Sequence, residues 1–130
     1  MIRNFLRAKI HGATVTQADV EYVGSLTLDR DLMDAAGLLP FERIDVYNIT
    51  GGQRFSTYVI EGESGSGIVG VNGAAAHLAR PGDSVIIASY CQLQEEEIEI
   101  FTPRLIFVDQ ANRPVSLEEA KTASREFVAG

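Results

Sequence analysis

The chain has almost none of the residues that staple or metallate small proteins. Its 130 residues include one cysteine, Cys91, and two histidines, His11 and His77. A lone thiol excludes an internal disulfide framework. Two distant histidines make no zinc spacing, so no metal site is expected. Basic residues are scarce too: 11 Lys and Arg stand against 18 Asp and Glu, a net charge of −7. That balance speaks against nucleic acid as a partner, since binding it needs cations that displace counterions from phosphates. It speaks equally against docking on an anionic membrane. No run approaches the roughly 18 apolar residues of a membrane-spanning helix. The N-terminal MIRNFLRAKIHG interleaves Arg3, Arg7 and Lys9 with apolar residues, which breaks the apolar core a secretory signal needs. A cytoplasmic protein is expected. Repeats, low-complexity tracts and cofactor-binding fingerprints are also missing.

What is present is ordinary globular material, with 45% hydrophobic and 22% charged residues. The length predicts a single domain over 1–130, large enough to bury a core unaided. Residues 2–10 and 26–29 read as strands. DRDLMDAAG (29–37) reads as a short helix, with an Asp cap and a closing glycine. RIDVYNI (43–49) and RFSTYVIEG (54–62) alternate around TGGQ, a hairpin signal. IVGV (68–71), SVIIASYCQL (84–93) and LIFVD (105–109) are further strands. NGAAAHLA (72–79) is a short helix, and EEE (95–97) a charged edge or turn. Ser116 and Glu119 have capping-box spacing, which predicts a terminal helix over 116–127. Six or more short strands with small helices between them predict a mainly β fold, a small barrel rather than a doubly wound sheet.

YVGSLTLD, residues 22–29, sets Gly24-Ser25 between strand-like segments with no loop composition around it. Ser25 lacks a G-x-S-x-G elbow, and only His11 lies near it in sequence, so a Ser-His hydrolase is poorly supported. The backbone itself is a second candidate substrate. A serine hydroxyl can attack the preceding carbonyl in an N-to-O acyl shift, and a preceding glycine tolerates the close approach. Elimination across the ester frees the Gly24 carboxylate and leaves dehydroalanine, which hydrolyses with loss of ammonia to a pyruvoyl group. Strain of about 1–3 kcal/mol gives only about ten- to a hundredfold in rate. A donor aimed at the oxyanion adds about a hundred- to a thousandfold, so one is required near the Gly24 oxygen. Ser56, Thr57 and Tyr58 are candidates. On chemistry alone Gly24-Ser25 reads as a turn, Arg54 and Lys9 as solvated strand charges, and Tyr58 as core.

Several separated motifs change that reading. K-x-H at Lys9 and His11, Y-x-G-S at Tyr22–Ser25, RFSTY at Arg54–Tyr58, VNGAAAH at Val71–His77 and GD-x-VIIAS at Gly82–Ser89 keep one order and spacing. Together they resemble the pyruvoyl-dependent aspartate 1-decarboxylase family, which makes β-alanine for pantothenate. The resemblance runs from residue 1 to about residue 110.

The resemblance implies a six-stranded double-psi β-barrel with a few short helices, assembled as a homotetramer with active sites between subunits. It implies self-cleavage between Gly24 and Ser25, giving chains 1–24 and 25–130, with the cofactor a pyruvoyl group made from Ser25 and no external cofactor. Thr57 assists cleavage and, with Lys9, Arg54, Asn72, Gly73, Ala74 and Ala75, lines the L-aspartate site. Tyr58 is the proton donor after decarboxylation. His11, Tyr22 and Tyr47 line the pocket, and Tyr47 stands where relatives often carry tryptophan. A ketone conjugated to an amide condenses with the substrate amine, and the imine takes up the electrons released with carbon dioxide. Arginine matches a carboxylate with two parallel hydrogen bonds, and lysine offers a point charge. Which carboxylate each holds is open, as are the preference for aspartate over glutamate and the need for a maturation factor. His77 reads as structural and Cys91 as a small core residue.

Overall fold

A computed structural model describes residues 1–119. Nine strands form one mixed sheet: β1 (Ile2–Thr14), β2 (Gln17–Asp19), β3 (Leu26–Asp29), β4 (Arg43–Asn48), β5 (Arg54–Gly62), β6 (Val69–Asn72), β7 (Ser84–Gln94), β8 (Arg104–Val108) and β9 (Pro114–Val115). Their order is β2-β6-β3-β5-β4-β7-β1-β8-β9. The pairs β1–β8, β2–β6 and β3–β5 are parallel, and the rest are antiparallel. Helices α1 (Arg30–Ala36) and α2 (Glu95–Ile98) and a 3-10 turn (Gly73–His77) connect them. The fold is therefore mainly β with a few short helices, as expected. Its sheet has nine strands, where the family resemblance implied six and the sequence showed seven segments. The two that the sequence did not show, β2 and β9, are too short to have a visible period.

Alternation builds the core. On β4, Ile44, Val46 and Asn48 are buried, while Arg43, Asp45 and Tyr47 face the other way. The hairpin to β5 closes where Gly52 N–H donates to Asn48 O (2.8 Å) and Asn48 N–H to Gln53 O (2.8 Å). Ile10, Leu26, Leu28, Leu32, Met33, Ile44, Val59, Val71 and Ile87 fill the interior. The longest pairing, β1 on β7, bulges between Leu6 and Ala8 and between His11 and Ala13, the second with Gly12 at φ +84°.

Three local expectations are corrected. The first strand runs on to Thr14, past residue 10. The short helix of 72–79 is a 3-10 turn of five residues, Gly73–His77. Glu95–Glu97 open a helical turn, because Gln94 and Glu97 form a reciprocal capping box. Of the terminal helix, the first contact is in place: Glu119 N–H donates to Ser116 Oγ at 3.1 Å. Its remainder lies outside the described residues. Cys91 is half-buried rather than core.

Asp29 ties β3 to its surroundings. Its Oδ1 accepts from Asp31 N–H (2.8 Å), capping α1, and from Gly65 N–H (3.0 Å). Its Oδ2 accepts from Gly67 N–H at 2.8 Å. Burial acts to raise the Asp29 pKa, but the Gly67, Asp31 and Gly65 donors and the Arg113 charge outweigh it and hold the carboxyl below its ordinary value. A depressed pKa gives stability that is present above the ordinary carboxylate range and is lost as pH falls through the lowered value. Asp29→Ala should cost about 1–3 kcal/mol in urea unfolding at neutral pH, and much of that difference should vanish in acid.

Candidate active site

Ser25 lies at the entrance to β3 and is 2% exposed. Its φ is +88°, a region that side chains with a Cβ rarely enter. The surroundings enforce it. Asn72 N–H donates to Ser25 O at 2.9 Å. The Asn72 side-chain amide donates to Thr27 Oγ1 (2.9 Å) and to Ser25 Oγ (3.4 Å). Asn72 itself is buried at the end of β6.

Two glycines leave room for this backbone. A Cβ at Gly73 would stand 2.9 Å from Gly24 Cα and 3.0 Å from Gly24 N, and Gly73 has φ +68°. A Cβ at Gly24 would stand 3.3 Å from the Tyr58 hydroxyl. The phenol thus lies against the Gly24–Ser25 link. The parallel register of β3 on β5, Leu26 opposite Val59, explains why: one residue back, Ser25 faces Tyr58. Phe41 stacks on the Tyr58 ring at 6.2 Å, and it too has a positive φ, +71°. Thr57, half-buried, precedes Tyr58 on the opposite face of β5. Ser56 is spent elsewhere: its hydroxyl donates to Asp45 Oδ1 at 2.6 Å and accepts from Arg43.

Ser25 is thus a buried serine with a side-chain amide on its oxygen, Gly24 before it and Gly73 packed against Gly24, surroundings that would fit a group built from residue 25. The amide that reaches Ser25 Oγ is a donor to whatever oxygen residue 25 carries. Among the described residues no cluster of three or more His, Cys, Asp or Glu could hold a metal ion.

The other expected residues form a second group. Strand register sets Arg54, Tyr47, Ile86, His11 and Phe107 in one row across β5, β4, β7, β1 and β8. The Arg54 guanidinium carbon stands 4.6 Å from the centroid of the Tyr47 ring. Tyr47 and Tyr90 share a hydroxyl hydrogen bond at 2.7 Å. Burial, the Tyr90 hydrogen bond and the Asp45 charge push the Tyr47 pKa up to about 12, against the pull of Arg54. The phenol is therefore protonated at neutral pH. His11 rests on Phe107 at 5.9 Å, and its Nδ1 is buried with no hydrogen-bond partner among the described residues. Burial and then the Lys9 charge lower its pKa, so the imidazole is neutral at pH 7.

Lys9 lies in the next row, opposite Ala88, then Asp45, then Ser56. β5, β4 and β7 lie between β3 and β1 in the sheet order. Arg54 is four residues along β5 from Tyr58. Contacts gather Gly24, Ser25, Tyr58, Asn72 and Gly73, with Tyr22 leading in, while Lys9, His11, Tyr47 and Arg54 occupy other rows of the sheet. Ala74 is exposed and Ala75 half-buried on the 3-10 turn beside Gly73. Sequence reasoning missed Thr27 and Tyr90. Thr27 shares a strand face with Ser25, which alternation can show. Tyr90 lies four residues along β7 from Ile86, the partner of Tyr47, so the long side chains bring the two hydroxyls together.

Residues 1–115 match the family model described as aspartate decarboxylase.

Proposed function

Because the chain belongs to the aspartate decarboxylase family of carboxy-lyases, we propose that it is a self-processing, pyruvoyl-dependent enzyme converting L-aspartate to β-alanine and carbon dioxide. The observation that carries this reading is the buried Ser25 at φ +88° with a glycine before it. Strain at a non-glycine residue persists only where packing imposes it, and it is concentrated at functional sites.

In processing, Ser25 Oγ attacks the Gly24 carbonyl carbon, the Gly24–Ser25 amide becomes an ester, and elimination followed by hydrolysis releases ammonia. Thr57 stands opposite Gly24 when the β3–β5 register is carried back two residues, and it is the donor we assign to the oxyanion. The Asn72 amide steadies Ser25 Oγ. In turnover, the pyruvoyl group at residue 25 supplies an electron sink for the carbon that loses its carboxylate. The chain does the rest. Arg54 grips the retained carboxylate in fork geometry, and Lys9 attracts the other. Asn72, Gly73, Ala74 and Ala75 shape the pocket. Tyr58, beside Gly24, donates the proton to carbon.

Lys9 and Arg54 lie in other rows of the sheet than Ser25 and Tyr58. A second copy laid across the Ser25 entrance would complete the site, and a homotetramer with sites between subunits is the assembly we assign. Exposed Tyr22, Val23, Leu39 and Phe41 give that contact apolar surface. The chain passes from β1 through Val15 and Thr16 into β2, where Thr16 N–H donates to Val69 O at 2.9 Å. That continuity supports closure of the sheet as a double-psi barrel. No helix among the described residues is long and apolar enough to cross a membrane. The enzyme acts in the cytoplasm and supplies pantothenate synthesis.

Intact mass spectrometry of the purified protein tests the reading. Two chains, 1–24 and 25–130, are expected, the longer lighter by one ammonia than hydrolysis would leave it. Full-length chain that decarboxylates aspartate would overturn the mechanism.

A further inference from the structure

The Tyr47–Tyr90 pair has no part in the chemistry above. Its hydroxyls meet at 2.7 Å, and its far side carries Arg54, 4.6 Å from the ring centroid. Arg54 is an exposed side chain on the first residue of β5. Left alone, its guanidinium would sample many rotamers, and ordering it would weaken substrate binding. The ring of Tyr47 gives it a platform, since guanidinium ions stack on aromatic faces. The platform needs its own anchor. Beside it opens a groove of about 670 Å³ whose lining includes Asn4, Arg43, Asp45, Tyr90, Cys91 and Gln92. The hydroxyl of Tyr90, a residue of that wall, ties down the edge of Tyr47 next to that space.

We propose that Tyr90 is a positioning residue: its hydroxyl fixes the Tyr47 ring, and the ring fixes the Arg54 guanidinium for the substrate carboxylate. This rests on the reading of Arg54 as a carboxylate ligand. Tyr90 touches neither substrate nor reacting atoms. Its effect falls on binding and not on the chemical step.

Tyr90→Phe keeps the ring and removes only the hydroxyl. KM for aspartate should rise about threefold to tenfold, with kcat, melting temperature and the cleaved fraction unchanged. Tyr47→Phe should raise KM similarly, and the double variant no further than either single one. In an Arg54→Ala background, Tyr90→Phe should have no effect on KM, which a merely structural role would not produce. An unchanged KM in Tyr90→Phe beside a raised KM in Arg54→Ala overturns the positioning role and leaves the carboxylate reading standing. An unchanged KM in Arg54→Ala overturns both. A lower melting temperature with unchanged KM makes Tyr90 a packing residue and overturns the proposal.

Discussion

Ser25→Ala is expected to yield a folded protein that stays one full-length chain and shows no decarboxylase activity at any substrate concentration. The substitution removes the oxygen that, in the proposed mechanism, attacks the Gly24 carbonyl and forms the ester. It leaves the packing alone. The Cβ remains, so the φ of +88° stays as unfavourable as before. The lost contact is the long 3.4 Å bond from the Asn72 amide, and the firmer bond from Asn72 N–H to the carbonyl of residue 25 is kept. Stability should therefore change by less than about 1 kcal/mol. Mass spectrometry, urea unfolding and carbon dioxide release on one preparation separate the outcomes. Activity in the uncut variant would remove the pyruvoyl group from the mechanism. A cut variant would move the cleavage chemistry to another residue.

Tyr58→Phe should divide processing from turnover. The phenyl ring can still pack on Phe41, at 6.2 Å, and against Gly24, so the site keeps its shape. What goes is an acidic hydroxyl beside residue 25. If that hydroxyl protonates carbon, kcat should fall about 10²- to 10⁴-fold while the chain is still cut. KM should move little, because the proposed mechanism has Arg54 and Lys9, not Tyr58, meet the substrate charge. A variant that turns over normally would show that another acid does this work. A variant that stays uncut would assign the phenol to the Gly24 oxyanion instead.

The parts of the molecule written locally were legible in the sequence. β5 occupies Arg54–Gly62, the expected range, because its alternation is bounded by Gly-Gly-Gln on one side and a Ser-Gly loop on the other. α1 was legible through the Asp29 cap and through Gly37, whose φ of +70° closes the helix. The chemistry at Gly24-Ser25 was legible only in part. Serine has no preference for left-handed backbone, so its φ of +88° could not be read from residues 22–29. It is imposed by Asn72 and Gly73, which lie far along the chain. The placement of Lys9 and Arg54 relative to Ser25 was hidden for the same reason, since it is set by strand register across β1, β7, β4 and β5. β2, three residues long, has no periodicity to detect, although it carries the chain on to the Ser25 entrance.

β1 lies inside the sheet, between β7 and β8. It contributes Ala8, Ile10 and Ala13 to the core, and Val15 follows it there. A break after Gly24 would turn this strand from a covalent part of the fold into a peptide ligand of it. Such a peptide would be held by strand addition on two flanks and by side chains sunk in the interior. Its release would require both ladders to open at once, so it should exchange only as fast as the whole protein unfolds. The newly freed end at 24, by contrast, lies outside every strand, while residue 25 stays tied through its carbonyl to Asn72 N–H. The two ends can draw apart as soon as the link is gone, which removes the backbone strain and makes the reverse reaction unfavourable. One short segment thus holds firmly along its length and yields at its last residue.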